Sequence, residues 1–175
     1  MWPIKGELEE RQLQKNKLPQ PGTPPTSLSM FADFLKRLTA PAPSPLDQTD
    51  ARLALTALLV RIARADDHYS SAEALKIERI VTERYALATA DAQNLMRDAE
   101  TLEAEAPDTV RFTRAIKDAV PHEERIAVIE AMWSVVLADG ERDAEEDALL
   151  RLSANLLGIN DKDSALARQR VSTKQ

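Results

Sequence analysis

The sequence predicts an all-α fold, a compact bundle of about seven helices, and three observations carry that expectation. Apolar residues fill 43% of the 175 positions but aromatics only 4%, so the core must be built mainly from Leu, Ile, Val and Ala, which favours helix over strand. Only four glycines occur, and no stretch shows the β-branched alternation of a strand. Apolar residues recur instead at helical spacing, in blocks divided by short turn signals. The length suits one domain with a real core and is short for two.

Residues 1–29 hold five of the ten prolines and end in "PQPGTPPTSLS", a composition that cannot bury enough apolar surface to offset the entropy of ordering. The expectation there is a disordered extension, a cloning remnant or a stretch preceding the true start; it lacks the apolar run of a secretion signal. Met30 to Leu38, "MFADFLKRL", reads as a short amphipathic helix capped by Ser29, with Met30, Phe31, Phe34, Leu35 and Leu38 on one side. The Phe31 and Phe34 face is expected to dock on the bundle, and the adjacent Lys36 and Arg37 permit a peripheral membrane contact. Three prolines in "TAPAPSPLD" then break the helix.

"TDARLALTALLVRIARAD" is apolar on nearly every face, as expected of a helix surrounded by protein. Further helices are predicted at about 71–86, 90–105, 109–119, 122–138, 144–157 and 161–170, separated by "APD" near 107, "VPH" near 121, "DG" at 139 and "GIND" at 158. The helical domain is thus placed at 30–170, with a flexible tail at 171–175.

Composition also excludes. With no cysteine there are no disulfides, thiolate zinc sites or thiol nucleophiles, so any metal needs oxygen or imidazole ligands; the absence fits a reducing compartment. A net charge of −6 with scattered basic residues lacks the footprint of nucleic-acid binding. The longest apolar segment, "LALTALLVRIA", is broken by Thr56 and Arg61 and falls short of a membrane span. There is no glycine-rich phosphate loop, H-E-x-x-H or G-x-S-x-G, and seven aromatics are few for a sugar cleft, so no enzyme is expected.

"LADGERDAEED", residues 137–147, crowds six carboxylates together: Asp139, Glu141, Asp143, Glu145, Glu146 and Asp147. Two like charges ~4 Å apart repel by about 1 kcal/mol in water and about 4 kcal/mol at an effective dielectric near 20. The stretch is therefore either a fully solvated capping turn or the holder of a cation. Sliding the chain by 73 residues aligns Leu59 with Met132, Ala65 with Ala138, Asp66 with Asp139, Ser70 with Asp143 and Glu73 with Glu146. Each half reads as a buried helix, Ala-Asp at its end, a polar loop, then Asp-x6-Glu into the next helix. This suggests two helical hairpins related by a pseudo-twofold axis, their buried helices packed at the centre.

Ser70–Glu73 and Asp143–Glu146 both fit the capping box. Capping leaves Asp66 and Asp139 unexplained, because each stands at the negative end of a helix macrodipole. A hard cation such as calcium, magnesium or manganese would reverse that penalty. An EF-hand is rejected: counted from Asp139 its sixth and twelfth positions are Ala144 and Leu150, and counted from Asp67 they are Ala72 and Glu78.

"ARADDHYSSAE" and "LADGERDAEE", an Ala-Asp turn with a glutamate seven residues after the Asp in a duplicated helical domain, resemble the tellurite-resistance TerB family and its TerB-like relatives. The resemblance covers roughly 30–170 and implies a compact helical bundle acting in stress responses, often near membranes, without catalysis. It implies a divalent cation, calcium, magnesium or manganese, held by Asp66, Glu73, Asp139 and Glu146. The first half departs from the pattern, since Asp67 stands where Gly140 stands in the second; Asp tolerates a left-handed turn better than most residues. His68 is a further candidate ligand, His122 has no evident chemistry, and Met132 and Trp133 belong to the core. The expected function is a non-enzymatic, cation-binding stress protein in the cytoplasm or at the inner face of the membrane, with a protein partner and no nucleic acid. The alternative is a metal-free helical adaptor that docks a partner through its acidic surface.

Overall fold

The apolar stretch after the proline-rich break forms helix α1 (Gln48–Ala63), and its side chains point into protein on almost every side: Leu55, Leu58, Leu59 and Ile62 are fully buried. Burial of each such side chain stabilises by about 1.5–3 kcal/mol. Thr56, also fully buried, meets its bonding need by donating its hydroxyl to the Arg52 carbonyl at 2.8 Å. The computed structural model describes Lys36 and residues 48–140 and 143–174. The helix expected at 30–38, with Phe31 and Phe34, and the extension at 1–29 lie outside the described residues, apart from Lys36, which is helical and exposed.

Six further α-helices follow: α2 (Ser71–Tyr85), α3 (Thr89–Glu105), α4 (Thr109–Ala119), α5 (Arg125–Val136), α6 (Ala144–Leu156) and α7 (Asp161–Ser172). No strand occurs among the described residues, and the predicted all-α class is the observed one. Helix α1 touches α2, α3, α4, α5 and α6, while α5 touches α1, α2, α6 and α7, so these two form the centre of the bundle. Met132 and Trp133 are core, as expected; the Trp133 indole N–H donates to Ser164 Oγ at 3.2 Å, which lets a polar ring edge be buried.

The segment read as one helix at 122–138 is instead a 3₁₀ turn (His122–Glu124) followed by α5. Pro121 starts the tighter turn, with the Glu124 amide donating to its carbonyl at 3.0 Å. Arg125 then reaches out of the new helix to carbonyls of Lys117 and Val120 at the end of α4 (2.9 and 3.0 Å) and of Leu157 at the end of α6 (3.3 Å). One guanidinium thereby satisfies orphan carbonyls on two helix C-termini. The last helix runs two residues past its expected end because Val171 is buried against the core.

Candidate functional site

The two helix ends that carry Asp66 and Asp139 are built alike. Past α1, the amides of Arg64 and Ala65 donate to the carbonyls of Val60 and Ile62, both at 3.0 Å. Past α5, Leu137 and Ala138 do the same to Trp133 and Val135, at 3.1 and 2.9 Å. The chain then turns through a left-handed residue, Asp67 at φ 64° in the first junction and Gly140 at φ 82° in the second. Asp67 therefore takes the conformation for which glycine serves in the other half. Asp66 Oδ1 accepts the His68 amide at 2.8 Å, tying the turn to its own side chain.

Each junction leads into a helix start. Ser70 caps α2: its hydroxyl oxygen accepts the Glu73 amide at 3.2 Å, and the Glu73 carboxylate accepts the Ser70 amide at 2.8 Å, completing the capping box read from sequence. At α6, Asp143 is the N-cap as the box pattern implies, but its carboxylate accepts the Glu145 amide at 2.7 Å, one residue before the Glu146 amide of a capping box. Glu73 and Glu146 both occupy the third position of their helices, where the dipole favours a carboxylate, and both are buried, at 3% and 5% exposure.

The two side chains face one another, Glu146 within hydrogen-bonding reach of Glu73. The Glu146 carboxyl is pushed up to about 8, first by loss of water, then by its hydrogen bond with Glu73 and by the negative charges of Glu73, Asp66 and Asp139. The sequence places one carboxylate pair at each of two junctions; the fold gathers both pairs about Glu146, making one acidic centre from two. Glu146 is hydrogen-bonded to Glu73 there, with Asp66 and Asp139 close enough for their charges to act on it.

The rim adds charge that position in the sequence could not assign. Half-buried Asp143 and exposed Glu145 are hydrogen-bonded side by side; the bond lowers Asp143 and raises Glu145, to whose rise Asp66 also contributes. His68 is 88% exposed, with Nδ1 at 3.0 Å from the Asp66 carbonyl oxygen. That hydrogen bond, followed by the Asp66 charge, raises its pKa. Among the described residues no three His, Asp or Glu side chains, as placed, are grouped to hold a metal ion.

A second polar group, where α1 meets α3, was not singled out from sequence. Glu103 of α3 is buried between Arg64 (2.8 Å) and Arg61 (3.3 Å), and Arg61 Nε also donates to Thr109 Oγ1 at 2.7 Å. The Tyr69 hydroxyl donates to Glu100 at 3.0 Å beneath Arg64, whose guanidinium sits 5.1 Å from the ring centre. These contacts pin the α1–α2 turn, and with it Asp66, against α3.

Comparison with known proteins gave one family. Searches of curated proteins and of solved structures returned no match. A family model described as tellurite resistance protein TerB matches residues 52–169, a span that includes both junctions and all four central carboxylates. The match extends over well more than half of the chain, which therefore belongs to the TerB family.

Proposed function

We propose that the protein is a non-enzymatic stress-response protein of the cytoplasm that takes up a divalent cation at the acidic centre in exchange for a proton. The observation that carries the reading is the face-to-face burial of Glu73 and Glu146 beside Asp66 and Asp139, which holds a proton at Glu146 up to a pH of about 8. A carboxyl pair that must keep a proton to coexist is a pair that a cation can neutralise instead. The donor set fits: all four are hard oxygen ligands, suited to calcium, magnesium or manganese. Glu73 and Glu146 would supply the central ligands and Asp66 and Asp139 the flanking ones. A bound cation would also offset the unfavourable position of the two aspartates at helix C-termini. Among the described residues no helix is long and apolar enough to cross a membrane.

Isothermal titration of metal-free protein with each of the three cations, in buffers of different ionisation enthalpy, tests this. Binding is expected to release about one proton per ion near pH 7 and to weaken as pH falls below about 8. No heat at millimolar metal would overturn it. A second reading, a metal-free adaptor docking a partner through its acidic surface, is favoured by one feature: Asp66 is already engaged with the His68 amide. It predicts a partner that binds equally well with and without chelator.

A further inference from the structure

In a chain of net charge −6, one groove has the opposite sign. A recess of about 510 Å³ is lined by Ala72, Leu75, Lys76 and Arg79 of α2, with Ala138 and Lys174 on the other side. The four α2 residues are spaced i, i+3, i+4, i+7, so they form one stripe along the helix. This stripe is turned away from the core, which α2 reaches through Glu73, Ile77 and Val81. Leu75 stands 66% exposed, the most exposed large hydrophobic among the described residues, and Arg79 and Lys174 are exposed beside it.

No described carboxylate lines this recess, and among the described residues Lys76, Arg79 and Lys174 form no ion pair, whereas Arg61, Arg64, Arg111 and Arg170 each do. Three cations without an ion pair among the described residues, set around an exposed leucine, leave two needs unmet by those residues: negative charge for the rim and apolar cover for the centre. We propose that this groove docks an acidic segment of a partner protein that presents an apolar residue to Leu75 and carboxylates to Lys76, Arg79 and Lys174. An amphipathic helix with glutamates flanking a leucine stripe meets both needs. The recess borders the acidic centre at Ala72 and Ala138 but is lined by none of its four carboxylates, so the proposal does not rest on cation binding.

Fluorescence anisotropy of a labelled peptide of Leu-Glu-Glu repeats, titrated with the full chain in chelator and again in calcium, tests it. Binding is expected in both conditions and is expected to weaken with salt. Lys76→Glu with Arg79→Glu should weaken binding at least about tenfold, Leu75→Ser should weaken it several-fold, and Lys76→Arg should retain it. All three positions lie on the stripe of α2 turned away from the core, and circular dichroism verifies that the variants fold. Equal binding of a Leu-Gln-Gln peptide, or unchanged affinity in the charge-reversed variant, overturns the proposal. So does failure of the peptide to bind while phosphatidylglycerol vesicles do, which would assign the groove to a lipid surface. Self-association abolished by Leu75→Ser, without peptide binding, would assign it to a second copy and equally overturn the proposal.

Discussion

Glutamine at position 146 keeps the shape and hydrogen-bonding reach of the buried side chain but cannot ionise against Glu73. In the wild-type protein the folded state holds the Glu146 proton up to a pH of about 8, while the ordinary carboxyl value is 4.5. Stability from this group is therefore fully present below the lower value and is lost as pH rises through the upper one, because the unfolded chain has already released its proton. The full displacement corresponds to at most about 5 kcal/mol. Electrostatic coupling of Glu146 to Glu73 and the solvent that reaches the rim reduce this to about 2–3 kcal/mol. Urea denaturation of chelated protein at pH 5 and pH 8.5 reads the effect directly, as a fall of roughly 1–2 M in the wild-type midpoint across that interval. Glu146→Gln is expected to flatten the dependence and to be the more stable protein at pH 8.5. Calcium at about a hundred times its dissociation constant should restore about 2.7 kcal/mol to the wild type at pH 8.5 and little to the variant. Parallel pH profiles for the two proteins would refute the reasoning, since the two carboxyls would then not be coupled by burial.

Three other perturbations probe the elements that hold the centre in place. Ser70→Ala removes the hydroxyl that caps α2 and should cost about 1 kcal/mol in thermal or urea unfolding, loosening Glu73 as it does so. Glu103→Ala strips the shared partner from Arg61 and Arg64, which are 28% and 32% exposed, so the loss should be about 1–3 kcal/mol, less than for a fully buried pair; Glu103→Gln should recover part of it. By proton NMR, His68 should titrate above its ordinary 6.5, held there by the Asp66 carbonyl and carboxylate, and Asp66→Asn should lower it by removing the charge.

Several features of the centre were legible in order of residues alone because their physics is local. Ser70 and Glu73 lie one turn apart, so their reciprocal cap follows from backbone geometry wherever that helix starts. The 73-residue offset aligns Asp67 with Gly140, and both adopt positive φ, each in the turn that follows a buried helix. The 3₁₀ turn before α5 was missed although Pro121 marks it, since charge at Glu123 and Glu124 is as compatible with a helix start as with the tighter turn that forms.

By itself, then, the sequence determined the helical class, the capping box of α2, the apolar identity of α1 and α5 and the family, all properties set within a turn or two of chain or by its pattern. Tertiary structure alone decided that Glu73 meets Glu146 across 73 residues, that Glu103 sits between Arg61 and Arg64, and that Arg125 serves two helix ends at once. Helical periodicity says which face of each helix is buried, but which buried face it meets depends on how all the ridges pack together. That packing brought two acidic junctions to one centre and, among the described residues, left a basic groove on α2.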